Sequence, residues 1–183
     1  MRVWRLSLLV FIVLFGCAVS KGQRELSPTT SERIAELKQL CYSVGRFTVE
    51  VPDPWRPVTA PGSLLMIFAR PDRAAQEVMY AHAVPKSPRE PLAAFVASDI
   101  EHLRYLHPFI LAAEGEEVPI PGSKKKAWVT FLEGDSFGNR SIVAFVDEGS
   151  YVGIIGFSSR RPELLESEVP GFQQVVRSYR WIG

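Results

Sequence analysis

The residues of this chain with chemical potential are three histidines, two cysteines, a pair of adjacent serines and a run of three lysines. His82 falls in an apolar stretch, and His102 and His107 stand five residues apart, which misses the i, i+4 spacing that puts two imidazoles on one helical face for zinc. A metal site also needs three or four converging ligands. All three are therefore read as surface or packing histidines, and no metal or cofactor is expected. Ser158 and Ser159 lack the Gly-x-Ser-x-Gly elbow that exposes a nucleophile, so no catalytic residue is assigned. Cys41 has no neighbouring histidine or basic cluster to lower its thiol pKa, and its ordinary reading is a packed thiol between a helix and a strand. Lys124, Lys125 and Lys126 suit anionic headgroups or an acidic partner; alternatively they solvate the start of a strand and block edge pairing. We take the second reading, and extend it to Arg160 and Arg161. Tyr80, Trp128 and Trp181 would line an apolar ligand groove or, more simply, fill the space between a sheet and its helices.

The elements that position these residues centre on Ser141 to Ser158, SIVAFVDEGSYVGIIGFS, where two apolar strands flank the turn Asp147, Glu148, Gly149, Ser150. Val143 and Phe145 point one way, and Ile142, Ala144 and Val146 the other; Tyr151, Ile155 and Phe157 oppose Val152 and Ile154. A hairpin apolar on both faces must be covered on both, which places it at the centre of a sheet. Before it, Thr29 to Glu32 reads as a capping box opening a short helix with the stripe Ile34, Leu37, Leu40. Phe47, Val49 and Val51 alternate with polar residues up to Pro52, Asp53, Pro54, Trp55, and Trp55 should plug a core edge. Leu64 to Ala69 and Val78 to Val84 form a pair of strands around a turn at Arg70, Pro71, Asp72. Ser87 to Glu90 carries helix-start signals that Pro91 would delay, and Leu92, Phe95, Val96, Ile100 and Leu103 give the stripe of a covering helix that Pro108 ends. Strands are expected at Ile110 to Val118 and Ala127 to Leu132. After Pro162, Leu164, Leu165, Phe172, Val175, Val176 and Tyr179 mark a helical region that Pro170 and Gly171 should break into a short turn and a longer C-terminal helix.

At 183 residues, with 46% hydrophobic and 22% charged content, the chain supports one core. Its formal charge is +1, and loss of Arg2 and Arg5 leaves 19 basic against 20 acidic residues, a balance that excludes a dedicated nucleic-acid binder. Arg2 and Arg5 precede the apolar run Leu6 to Gly16, a pattern too short to span a bilayer, which needs roughly 17–25 residues; it reads as a cleaved export signal, with a single uncleaved anchor as the alternative. The expected organisation is a signal peptide over 1–20, a polar linker with a short helix over 21–41 and a single domain over 42–183. Leu14, Phe15, Gly16, Cys17 resembles the bacterial lipobox. That resemblance implies Cys17 as the lipid attachment site and a membrane-anchored lipoprotein of the cell envelope. Phe15 departs from the usual small or β-branched residue, and Ala18, Val19, Ser20 offers an ordinary cleavage site before Lys21, which would yield a free periplasmic form. Either way an exported mature chain keeps at most one unmodified thiol and no internal disulfide.

An early strand ending Val51, Pro52, Asp53, Pro54, Trp55, a helix after the third strand, an antiparallel four-strand run and a closing helix ending Val175, Val176, Arg177, Ser178, Tyr179 resemble the PsbP-like superfamily. This takes in the extrinsic photosystem subunit, Ran-binding Mog-type proteins and DcrB-like bacterial lipoproteins. The resemblance spans about Tyr42 to Ile182. It implies an α+β fold, an α/β/α sandwich whose central antiparallel sheet is covered by helices on both faces, and a binding or accessory role rather than catalysis. The acidic cluster with which Mog-type relatives engage their GTPase has no counterpart placed here. The expectation is an exported, non-enzymatic accessory protein of an envelope assembly, with an unknown envelope protein as partner. A periplasmic carrier of a small apolar ligand is the alternative, and a hydrolase a more distant one.

Overall fold

The computed structural model describes residues 40–44, 46–60, 64–72 and 76–183. In chain order the elements are Leu40–Val44 (β1), Phe47–Val51 (β2), Arg56–Pro57 (β3), Leu65–Ala69 (β4), Glu77–Pro85 (β5), the helix Leu92–Leu106 (α1), Leu111–Ala112 (β6), Glu116–Pro119 (β7), Lys126–Glu133 (β8), Arg140–Asp147 (β9), Tyr151–Ser159 (β10), the helix Pro162–Ser178 (α2) and Arg180–Trp181 (β11). Eight strands form one antiparallel sheet in the order β3-β4-β5-β10-β9-β8-β6, with β7 also on β8. The β9–β10 hairpin sits at its centre, as its two-faced apolar pattern requires. Its turn closes with the Glu148 N–H donating to the Tyr151 carbonyl at 2.8 Å, while Gly149 takes φ 77°, a left-handed conformation that costs a glycine little.

Register separates the two faces. Ile142, Ala144 and Val146 stand beside Phe157, Ile155 and Gly153, and on that face α2 packs Leu165, Phe172, Val175 and Val176 into the main core. Val143 and Phe145 stand beside Gly156 and Ile154 on the other face, where Asp99 of α1 lies close enough to Tyr80 to disturb its ionisation. Each face thus has its own helix. The smaller sheet β1-β2-β11 flanks α2 and sends Phe47, Val49 and Val51 into the same core. Trp55 does plug that core, edge-on to Phe157 with centroids 5.6 Å apart.

Four local expectations are corrected. The α2 helix runs unbroken through Pro170. Packing of Leu164 and Leu165 before the proline and of Phe172, Val175 and Val176 after it holds both halves in line, and the proline lies on the exposed side, where water can reach the carbonyl it leaves without a donor. The α1 helix begins at Leu92, not at Ser87. The Ser87 carbonyl accepts from the Glu90 N–H in a preceding turn, and Pro91 is the residue at the cap. The strand expected over Ile110 to Val118 is two short pieces, because between them Gly115 lies against the Trp128 indole; an added Cβ would fall 2.1 Å from Nε1. Leu40 opens β1, opposite Val51, instead of continuing a helical stripe. The rest of that helix, the signal peptide and Cys17 lie outside the described residues.

Candidate functional site: an exposed aromatic end

The residues singled out for chemistry are committed to structure. His82 is buried between Leu65 and Ile154 in register, with Tyr80 beside it at a ring distance of 6.1 Å, and burial lowers its pKa to about 4. A neutral imidazole there is a core residue. The His107 Nδ1 meets Ser136 Oγ at 3.0 Å, and His102 sits half-buried elsewhere on α1. Among the described residues no group of three or more His, Cys, Asp or Glu is placed to hold a metal. Ser158 shares a short hydrogen bond with Ser141 across the hairpin, and Ser159 both donates to and accepts from the Arg161 backbone at 3.1 Å. Cys41 stands opposite Glu50 in β1.

The aromatic trio does not converge. Tyr80 is seated on Gly156 and Trp128 on Gly115, both on the α1 side but separated by two strands, whereas Trp181 belongs to the smaller sheet and packs near Tyr151 at 5.9 Å. On the opposite face the Tyr179 ring fills the space above Gly153.

The lysine run opens β8 beside the central turn. Lys125 pairs with the Glu148 carboxylate and Lys126 with Glu117, while Lys124 is exposed. Two of the three are thus paired, one with the hairpin turn and one with β7. No pattern in the sequence marks Lys86, whose buried ammonium donates to the Glu90 carbonyl at 2.8 Å and meets Asp147 at 3.2 Å. That one side chain fastens the end of β5 to the approach of α1 and to the hairpin turn. Tyr179 also belongs here: burial, then the Glu148 carboxylate facing it, push its phenol pKa well above the usual value. This end of the domain is charged and largely tied up in ion pairs.

The other end is different. Phe109 is 84% exposed, Tyr105 83% and Leu111 68%, and Phe137 is also well exposed. Local bonding places them at one end of the fold. The Ile110 N–H donates to the His107 carbonyl at 2.9 Å, turning the chain out of α1, and Leu111 then pairs with Glu133. Gly134, at φ 88°, passes so near the Phe109 carbonyl that a Cβ would fall 2.5 Å from its oxygen. The loop beyond is held by Asp135, whose carboxylate accepts from the N–H groups of Phe137 and Asn139 at 2.9 and 2.7 Å, and this sets the Phe137 ring edge-on to His107 at 6.0 Å. Sequence reasoning missed this site. The signal available was that Tyr105 and Phe109 fall off the α1 stripe, one on each side of its C-terminus.

A central antiparallel sheet with one helix on each face and a short accessory sheet against the closing helix is the PsbP-like fold. No protein-family model matches the chain and no curated protein matches it. Among solved structures, the solution structure of cyanobacterial PsbP (CyanoP) from Synechocystis sp. PCC 6803 is similar with a TM-score of 0.58 and 10% identity, over 91% of this chain and 98% of that one. The Ran-binding protein Mog1p of Saccharomyces cerevisiae is similar with a TM-score of 0.51 and 13% identity, over 79% of this chain and 95% of that one. A Mog1 mutant gives 0.52 and 12% over the same shares.

Proposed function

We propose that this protein is an exported, lipid-anchored accessory protein that binds a partner within a cell-envelope assembly and catalyses no reaction. The observation that carries the reading is that tyrosine rings fill both sides of the central strand. Tyr80 on Gly156 and Tyr179 on Gly153 occupy the two sides of the central strand, so what the domain offers another molecule is its surface. The fold it shares with a Ran-binding protein and with cyanobacterial PsbP supports a binding role. Among the described residues no helix is long and apolar enough to cross a membrane, and the Leu14 to Cys17 segment supplies the anchor. Several acyl chains, at ~0.8 kcal/mol per buried methylene, hold such a domain at a bilayer without a spanning helix.

Intact-mass analysis of the protein from membrane and soluble fractions of an expressing bacterium, with Cys17→Ser alongside, tests the anchor; cross-linking in the same cells tests the partner. The expected result is an acyl mass increment that the variant loses and a discrete cross-linked envelope complex. A soluble chain starting at Lys21 without that increment overturns the anchor. Substrate turnover by a chain that forms no complex overturns the accessory role.

A further inference from the structure

We propose that the end of the domain bearing Tyr105, Phe109, Leu111 and Phe137 seats in the headgroup region of the bilayer to which Cys17 tethers the chain. This rests on the anchored reading and adds an orientation to it. Large apolar side chains clustered on a monomer's surface mark an interaction site. The character of this cluster fits a bilayer interface, where aromatic rings bury their bodies among the upper acyl chains.

The charged side chains beside the cluster are paired or hydrogen-bonded. Glu101 pairs with Arg104 and Glu133 with Arg140, each at 2.5 Å, and Asp135 is occupied by its own loop. The end therefore brings two ion pairs and one hydrogen-bonded carboxylate to the interface and no basic patch, and its contact should be insensitive to salt, unlike the attraction of a basic patch.

The point of attachment lies at the same end. Strand β2 starts at Phe47, opposite Trp181 and so near Tyr151 at the hairpin turn, and finishes at Val51, opposite Leu40. Pro52 follows, against Gly171, and one turn back along α2 Glu168 binds Arg70 at 2.6 Å. Arg70 feels the charge of Glu77. Glu77 heads the row Glu77, Ser159, Arg140, Glu133, Leu111 that crosses the large sheet to the exposed cluster. Leu40 thus joins the domain at the end where Leu111 and Phe109 project.

Positions 18–39, twenty-two residues, separate Cys17 from Leu40. A helix of that length measures about 33 Å and a coil averages roughly 25 Å. A domain of 145 residues is about 40 Å across. The end that carries the tether is accordingly the end held nearest the anchor. Once the chain is anchored, the aromatic contact is intramolecular in effect and needs little affinity of its own.

The test uses the full chain purified from membranes as Phe109→Cys in a Cys41→Ser background, nitroxide-labelled and reconstituted into phosphatidylethanolamine and phosphatidylglycerol vesicles. Tyr105→Cys supplies a second label at the same end, and Lys124→Cys reports the opposite one. The expected result is a severalfold rise in oxygen accessibility relative to a nickel chelate at 109 and 105 over that at 124, unchanged by added salt. Labels at 109 and 105 that read as aqueous overturn the inference. So do labels shielded from both reagents, the mark of a protein contact or a second copy. Intact mass of the same sample reports acylation separately: an acylated chain with an aqueous label at 109 removes the orientation and leaves the anchor, whereas a chain without the acyl increment removes the tether and the inference with it.

Discussion

Substituting Gly156 by alanine tests how tightly the α1 side of the sheet is packed. An alanine Cβ would stand 2.1 Å from Tyr80 Cζ and 2.3 Å from its hydroxyl oxygen, so the ring must move by more than an ångström. Tyr80 is only 4% exposed and has the α1 helix above it; it has nowhere to swing without opening that interface. Overpacking of this kind costs roughly 1–3 kcal/mol, and the size of the overlap argues for the upper end. Against it, alanine is better than glycine inside a strand by roughly 0.5–1 kcal/mol. The net expectation is a loss of about 2 kcal/mol. With a urea m-value of about 2 kcal/mol/M, Gly156→Ala should lower the unfolding midpoint by about 1 M. In a Tyr80→Leu background the same substitution should cost far less, a coupling within the 0.5–3 kcal/mol expected of neighbours in contact. An unchanged midpoint, or the same drop in both backgrounds, would refute the reasoning.

His82 predicts an acid weakness. Its pKa falls from 6.5 in the unfolded chain to about 4 in the fold, so below 6.5 the unfolded state binds the extra proton; stability is complete above that pH and drains away as the pH falls toward 4. Between pH 7 and pH 5 the loss should be about 2 kcal/mol, read as a falling urea midpoint that His82→Leu flattens; an equal slope in the variant would acquit the histidine. Pro170 predicts a gain. Pro170→Ala restores a donor to the Glu166 carbonyl, partly offset by the freer unfolded chain, for about 1–2 kcal/mol and a rise in Tm of about 3–6 °C. A lower Tm by calorimetry would refute this.

What the sequence discloses follows from periodicity. The hairpin, the β2 alternation and the α1 stripe are long enough for a period of 2 or 3.6 to show, and each is present with the facing that its pattern demands. Two-residue strands such as Arg56–Pro57 and Arg180–Trp181 have no period to read. Pro170 misleads because a local rule about one hydrogen bond competes with five buried side chains that the sequence does not reveal to share a wall. The aromatic end is invisible for a related reason. Phe109 and Phe137 have the composition of core residues, and only the turn at His107 and the Gly134 crossing leave them facing outward.

The borders of the large sheet limit how any partner can approach. At one border β3 has two residues, of which Pro57 can donate no hydrogen bond; at the other, β6 has two residues and β7 ends in Pro119. A peptide looking for a ladder to extend would find too few free donors on either side. Recognition by strand addition, a common way for sheet proteins to capture extended segments, is closed along this sheet. A molecule that meets the large sheet from the side must read side chains, and the large sheets of two copies cannot join edge to edge.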